Sequence, residues 1–505
     1  MKQERSFECV LRTLSPVHVG CGEVYEPTGF KVDKQKGRLV VFDPVVFVKA
    51  LSTRSREELL RICSRGTVES VLDLYKFFDR EPASGREVAV CEGFIRHHEK
   101  VLRLSRNEVR KELNRFEIQR TAYLSIDQRP YIPGSAVKGA LRTAFLNMLA
   151  DSESTPDYSK DITRLATKSA KKKRTIKPNE WLEEKLLRLD RARSKGERIQ
   201  KDPFRLVKVS DFRPVGIVRT KIMYAINKKK DLGSQDESTI PQILEVIEPG
   251  SMFVGTIKIE TPLHDSAVSM GIGLDELLES CTNFFGSEKR REEEELSKMG
   301  VQAMLKASNG SRLLRIGRHS GAECVTIKRY RAINVGPGGK GQKQAKGSTT
   351  LWLAAETNKP TASSKLLPFG WVSLEEISPQ IREEITAKEI ELQRVQSEAS
   401  GGSTQQASAE TGPAIEERSA EEIRAEQVAD FKRMLDQVQN LPGEINGLIN
   451  AVKAKEDLEL RKDLCRLLLD RARALKKKNK FEKALEHGKK WAQQLKALCD
   501  ELGLS

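Results

Sequence analysis

The chain begins with alternating apolar and polar positions. Phe7, Cys9, Leu11 and Thr13 fall on one face, and Glu8, Val10 and Arg12 on the other. That period of two is the mark of a half-buried strand. A glycine-punctuated loop follows at residues 15–22, reading SPVHVGCG. Residues 29–32 and 38–42 then form a hairpin across the polar turn 33–37. Asp43-Pro44 opens a helix, because Asp43 can cap free N–H groups and proline needs no N–H in a first turn. The pattern turns helical over 56–63, over 67–79 and along a basic stretch from about 96 to 114. At Pro133-Gly134 the chain turns again, and Ser135 stands where a cap belongs. Val137, Leu141, Phe145 and Met148 then recur as one helical stripe.

A second β-rich region spans 206–212, 217–226, 243–247 and 251–260, and the turn Glu248-Pro249-Gly250 makes a hairpin of the last two. Residues 271–307 read as helix, with a charged run at 288–295, of which Glu292–Glu295 suits a solvated face. Leu313 to Gly321, LLRIGRHSG, is a strand feeding a glycine-containing loop. A helix or strand at 322–334, a Gly/Lys-rich loop at 336–348 and a strand at 349–355 follow, and Phe369-Gly-Trp-Val372 closes this half. Residues 375–396 are helical in pattern. Residues 399–413 have the Gly/Ser/Gln content of a flexible linker. From 419 to 503 the periodicity is helical, interrupted at Leu441-Pro442-Gly443 and near 476–480.

At 505 residues the chain has length for about three domains. Its 88 Lys/Arg exceed its 72 Asp/Glu, for a net charge of +16. Residues 160–201 hold 15 Lys/Arg against 6 Asp/Glu, so more than half of the excess lies in one short insert. Such an excess favours a polyanionic partner, nucleic acid before membrane. The eight cysteines form no CxxC or CxxH pair, which excludes zinc-ribbon and thioredoxin spacing and predicts reduced thiols in a cytoplasmic protein. No apolar run is long enough to span a membrane, and the N-terminus lacks a signal core.

Three segments carry candidate chemistry. Lys138 and Arg142, at i and i+4, share a helix face with Ser135 and Gly139 near a helix start, where free N–H groups suit a phosphate. The same spacing also describes an ordinary amphipathic helix with solvated cations. His18, between Gly20, Gly22 and Pro16, can stack on a base, contact phosphate or act as a general base, or simply occupy a strand-end turn. In IGRHSG, Gly317 and Gly321 flank Arg318, His319 and Ser320, which offers backbone N–H groups beside a cation. There is no Walker, HExxH, GxSxG or DxD pattern, so no metal or cofactor is expected. The histidines at 18, 97, 98, 264, 319 and 487 leave one catalytic alternative. It is a metal-independent endoribonuclease that uses His18 or His319 with a tyrosine or lysine.

In this order, LSPVHVGCG (14–22), YIPGSAVKGALR (131–142) and RIGRHSG (315–321) resemble the RAMP superfamily of CRISPR-associated proteins. With the late PFGW (368–371), the chain is most similar to the end-capping subunit family of type III-A Csm effector complexes. The resemblance covers about residues 6–375. It implies an α+β fold of two ferredoxin-like, RRM-related units with helical insertions, here followed by an all-α extension. Together with the linker composition and helical pattern beyond 375, it gives the boundaries 1–150, a basic insert at 151–205, 206–375, helix and linker at 376–418, and a helical domain at 419–505. It implies a non-catalytic subunit that binds the 3′ (spacer) end of guide RNA (crRNA) and docks on the backbone RAMP subunits. A further reading is a scaffold that recruits a cellular nuclease to trim the guide's 3′ end, and the catalytic alternative becomes a RAMP endoribonuclease that cuts CRISPR repeat RNA with His18 or His319. His18, Gly20, Gly22, Ser135, Lys138, Arg142, Gly317, Arg318, His319 and Gly321 become the expected RNA contacts, and no cofactor is implied.

The linker reading has a direct check. Limited proteolysis is expected to cut first within 399–418 and to leave two stable pieces; cuts confined to the patterned regions would place the boundary elsewhere.

Overall fold

Asp43 and Pro44 do what their order predicts: Asp43 accepts hydrogen bonds from the N–H groups of Val45 and Val46, and Pro44 begins helix α1 (Pro44–Ala50). The computed structural model describes residues 5–113, 115–169, 177–189, 195–230, 241–262, 266–299, 301, 307–308, 310–335, 343–361, 364–401, 424, 428–429, 431–432, 435, 441–453, 457–474 and 481–504. The chain falls into two units, residues 1–402 and 403–505. Among the described residues no helix is long and apolar enough to cross a membrane.

The first sheet is built around the N-terminal strand. Its members are β1 (Arg5–Thr13), β7 (Val207–Val209), β8 (Arg213–Val215), β11 (Met252–Ile259), β12 (Arg312–Arg315) and β17 (Trp371–Glu376). They run in the order β12-β17-β1-β11-β7, with β8 also beside β11. β1 pairs antiparallel with β11, Phe7 opposite Ile257 and Leu11 opposite Phe253, and on its other edge with β17, Leu11 opposite Leu374. The alternation sends Phe7, Cys9 and Leu11 into a core shared with helices α6 (Gly134–Asp151) and α10 (Leu274–Lys298), through Val137, Leu141, Phe145, Leu277 and Phe285. The opposite face is not left to water. Val10 packs with Ile377, Ile381 and Ile385, and Arg12 makes a bidentate pair with Glu384 at 2.9 and 2.6 Å on helix α11 (Pro379–Gly401). The strand expected to be half-buried is therefore covered on both faces.

The second sheet comprises β2 (Gly20–Val24), β3 (Phe30–Asp33), β4 (Arg38–Val41), β5 (Arg86–Val90), β6 (Ile118–Thr121), β9 (Thr220–Lys229), β10 (Gln242–Ile247), β15 (Thr350–Ala355) and β16 (Leu366–Pro368). Its main order is β2-β6-β10-β9-β5-β4-β3, and β15 pairs with both β9 and β16. Helices α2 (Thr53–Cys63), α3 (Val68–Arg80), α4 (Glu92–Leu102) and α5 (Arg106–Leu113) belong to this half, and α3 and α4 contribute Leu72, Tyr75, Phe94 and Val101 to its core. A small ribbon pairs β13 (Ile333–Val335) with β14 (Lys343–Ala345). Both large sheets take strands from either side of the 151–205 insert. The hairpin expected across Glu248-Pro249-Gly250 does not form, because β10 lies in the second sheet and β11 in the first. Thr13 explains the crossing. Its Oγ1 donates to Glu248 O at 2.7 Å, its carbonyl accepts from Gly250 N at 2.7 Å, and its N–H donates to Ser251 O at 3.0 Å. The turn is thus gripped by the end of β1 and does not close on itself.

The charged run on α10 is a second departure. Glu288 and Glu292 are buried, so Glu292 belongs to the interior and not to the solvated face, whereas Glu294 is exposed. Glu292 takes Arg315 at 2.6 Å and the Trp371 indole N–H at 2.6 Å. Glu288 takes Arg331 and Arg291, both at 2.7 Å. Of the basic insert, helices α7 (Ser159–Ser169), α8 (Pro178–Leu186) and α9 (Lys195–Lys201) are described, and Leu182, Leu186, Leu187 and Leu189 pack into the first core. The expected loop at 171–177 lies outside the described residues except for Lys177, as do 336–342 of the Gly/Lys-rich loop and all of the expected linker after Gly401. In the second unit, helices Leu441–Lys453, Leu458–Arg473, Phe481–Glu486 and Lys490–Glu501 gather Leu464, Leu468, Leu495 and Leu498 into their own core.

Two stability tests follow from the ion pairs. Arg315→Met leaves the Glu292 charge buried without its cation, and the first unit should lose about 3–5 kcal/mol in denaturant titration; adding Glu292→Leu should restore much of that. Glu323 gives a pH signature. Burial pushes its carboxyl up, but the Ser348 N–H, Lys230, the Ser348 hydroxyl and Arg291 outweigh this and bring it down to about 2 from 4.5. The unfolded chain therefore takes up this proton first, and the stability it contributes is present above about pH 4.5 and lost as pH falls toward 2. Glu323→Gln should flatten that part of the stability–pH curve.

Candidate nucleic-acid interface

Strands β1 and β12 both run antiparallel to β17, so they run parallel to each other and end at the same edge of the sheet. Thr13 sits opposite Val372, and Arg315 opposite Trp371. Two loops some 300 residues apart in sequence therefore emerge side by side, and the PFGW turn lies between them. Gly370 N donates to Pro16 O at 2.9 Å, Ile316 N donates to Gly370 O at 2.9 Å, and Arg318 N donates to His18 O at 2.8 Å. The approach is close enough to require glycine. A Cβ on Gly317 would stand 2.5 Å from His18 O, and one on Gly370 2.3 Å from Ile316 O. Both residues also have positive φ, at 79° and 85°, a region that side chains disfavour.

The third segment joins through the next strand. Ala122 N donates to Val19 O at 2.7 Å, while Tyr131 N donates to Ala122 O at 3.1 Å. At the start of α6, Gly134 N donates to Asp211 Oδ1 at 2.8 Å. Ser135 is exposed and Lys138 half-buried, and burial, with Lys208 nearby, lowers the Lys138 pKa. No ion pair joins Lys138 to another described residue. Arg142 is placed differently from the expectation of a free phosphate ligand. Its guanidinium meets Glu183 at 2.9 Å and both oxygens of Asp202 at 3.0 and 2.9 Å, and it lies over the Phe204 ring at 5.1 Å. The sequence placed it with Lys138 by helical spacing; the two carboxylates come from the insert, which spacing along one helix cannot reveal.

The two motif histidines are held as neutral rings. His18 is fully buried, and its Nδ1 lies 2.8 Å from Glu245 O, so Nδ1 carries the proton that bonds this carbonyl. Burial lowers its pKa, and the Arg318 charge adds to the effect. His319 has a left-handed backbone, φ 64°, and its ring packs on Trp352 at 4.5 Å and Phe369 at 5.3 Å. Burial, Arg318 and His18 push it down to about 3. A ring at zero exposure cannot bring nitrogen within the roughly 2.6–3.2 Å of a 2′-hydroxyl that general-base chemistry needs unless the loop opens.

Arg318 is the exposed cation of this edge, and its guanidinium donates to Gln119 on β6. Gly20 and Gly22 are exposed, and Gly22 has φ 84°. Gly321 lies further in, with φ 76° and a notional Cβ 3.4 Å from the Arg315 guanidinium, so it shapes the loop. Sequence reasoning missed Trp352, Gln119 and Arg120. Arg120 covers the Tyr123 ring at 3.6 Å and Tyr25 at 5.0 Å. Trp352 could have been noticed as the one aromatic in the alternating strand TLWLAA, but nothing local ties it to His319. Among the described residues no three His, Cys, Asp or Glu side chains converge as metal ligands.

The RAMP superfamily model matches residues 10–318. No curated protein sequence matches the chain. A chain in a cryo-EM structure of a Csm–crRNA–target RNA ternary complex of a type III-A CRISPR-Cas system is 20% identical. That alignment covers 73% of this chain and all of that one, with a TM-score of 0.46. The crystal structure of T. onnurineus Csm5 is 17% identical over 72% of this chain and 99% of that one, with a TM-score of 0.39.

The neutral rings can be checked by NMR titration. The His319 imidazole signals should not move between pH 8 and 5, whereas an ordinary histidine titrates near 6.5. Because the unfolded chain gains this proton first, His319 should cost stability as pH falls from about 6.5 toward 3.

Proposed function

The chain belongs to the RAMP superfamily, and from that premise we propose that it is a non-catalytic guide-RNA-binding and assembly subunit that caps the 3′ (spacer) end of crRNA in a type III-A Csm complex. The observation that carries this reading is the convergence of the 14–22, 315–321 and 368–371 loops on one sheet edge. Arg318, Lys138 and Ser135 serve as phosphate ligands. The exposed backbone at Gly20 and Gly22 lets the RNA chain approach. His319 on Trp352 offers a flat, uncharged surface for a base, the kind of stacking platform by which single strands are held. His18 and Arg142 act behind this surface: His18 fixes the first loop to Glu245, and Arg142 ties the insert to α6. Phosphate contacts of this kind fix register and supply affinity without reading sequence.

The fold supports the same role. In the order β17-β1-β11-β7, with α6 following β1 and α10 following β11, the first sheet has the strand order of a split βαβ, ferredoxin-like unit. The second sheet is read as its partner unit. The protein face that meets the backbone subunits, and any nuclease that trims the guide, belong to the same proposal. The endoribonuclease alternative draws no support from the two motif histidines, one sealed and the other stacked.

Single-stranded RNA binding should weaken with salt at a log–log slope of about −0.7 per phosphate neutralised. Lys138→Ala with Arg318→Ala should flatten that slope by about one unit, while His319→Ala should lower affinity without altering it. Complexes assembled without this subunit should carry guides with abnormal 3′ ends. A fixed-site cut in EDTA that is lost with His18→Ala and His319→Ala would overturn the reading.

A further inference from the structure

Away from the motif loops, a cavity of about 230 Å³ opens between the start of α7 and the segment leading into β13. Ser159 and Thr163 form one wall, Arg329 and Tyr330 the second, and Gln344 and Lys346 on the β14 side the third. Among the described residues the lining contains three cations and no carboxylate. One of the three, Arg331, is buried and spent internally: it meets Glu288 at 2.7 Å, the Thr326 hydroxyl at 3.0 Å and Glu323 O at 2.9 Å. The other two are exposed. Arg329 is aimed by a bond to Ala150 O at 2.9 Å and lies over the Tyr330 ring at 5.6 Å. The acids nearby are already engaged. Asp157 accepts from the Ser159 N–H and hydroxyl, and Asp161 from Arg164.

The Arg329–Tyr330 wall is fixed before any ligand arrives. The Tyr330 hydroxyl donates to Pro156 O at 3.1 Å. Asn147 donates to Thr326 O at 3.2 Å and accepts from Lys328 N at 2.7 Å. A wall held in this way lowers the ordering cost of binding. Size narrows the ligand: the space is below the roughly 300 Å³ at which pockets for drug-sized molecules begin, yet ample for a phosphate with its sugar. The chemistry narrows it further. Arg329 and Lys346 make no ion pair with a described carboxylate, and two such cations suit one phosphate. The Ser159 hydroxyl donates to Asp157, which leaves its oxygen to accept from a ribose hydroxyl.

We infer that this cavity binds one phosphodiester-and-ribose step of single-stranded RNA, with Arg329 and Lys346 on the phosphate and Ser159 and Gln344 facing the sugar. It is a second backbone contact, formed where the basic insert meets β14, and it rests on the RNA-binding reading above. The test uses the full chain. Arg329→Glu with Lys346→Glu should weaken single-stranded RNA binding roughly five-fold at 0.1 M salt and flatten the salt slope by about 0.7. In the wild-type protein and in the Lys138→Ala/Arg318→Ala variant, RNA should protect Arg329 from phenylglyoxal, read by peptide mass spectrometry. Inorganic phosphate at the same phosphate concentration should not. The footprint needs no substitution in the cavity, so it decides even if the charge-reversed variant fails to fold. Unprotected Arg329 with RNA binding still weakened by Lys138→Ala/Arg318→Ala would remove this cavity and leave the motif edge as the RNA site. Equal protection by inorganic phosphate would make it a simple anion site and overturn the RNA assignment. A wild-type chain that binds no RNA at all would overturn both readings.

Discussion

The first unit depends on one buried contact: the Glu292 carboxylate held between the Arg315 guanidinium and the Trp371 indole, each at 2.6 Å. Three elements meet there, since Glu292 comes from α10, Arg315 from the end of β12 and Trp371 from the start of β17. Arg315 also donates to Phe369 O at 2.9 Å and lies over the Trp371 ring at 5.0 Å. Both charges are buried. Desolvating two ions costs several kcal/mol apiece, so such a pair adds little net stability over an apolar replacement. Its value here is directional. An apolar cluster would tolerate sliding, but a carboxylate that must satisfy a guanidinium and an indole at once fixes the height of β12 against β17. That height sets the loops on either side of Gly370 in contact.

The same edge explains how the chain closes. β1 supplies the middle of the first sheet, and its partners β11 and β17 lie some 240 and 360 residues further on. Pairing over such separations carries the loop-closure entropy of nearly the whole unit. The sheet is complete only once β17 is in place, so the interface loops are assembled together. The turn at 248–250 shows the same economy: gripped by Thr13, it sends the chain from one sheet into the other instead of closing a local hairpin.

The interface chemistry is set by burial more than by residue type. Two histidines in glycine-rich loops have the makings of an acid–base pair, yet desolvation and the Arg318 charge keep both rings neutral. Charge is left to Arg318 and Lys138, and shape to the rings. A neutral imidazole on an indole presents a dry, flat surface. An imidazolium would have to be solvated, which the packing against Phe369 does not allow.

Local physics was legible in the sequence. The Asp43-Pro44 start, the alternation of β1, the strand at 243–247 and the glycine-marked loops each depend on neighbours a few residues away, and each stands in the structure where its pattern put it, to within a residue. What the sequence left open depends on partners brought from far along the chain. A run of Glu and Arg at i, i+3 and i+4 reads alike whether it faces water or a buried arginine, so Glu288 and Glu292 could not be told from a solvated face. Arg142 could not be known to meet Asp202 and Glu183 in the insert. Trp352 could not be placed beneath His319, because their strand and loop meet only across the assembled sheets. Only the tertiary structure decided these, since the energy of a charge or ring is fixed by what surrounds it and not by its spacing along the chain.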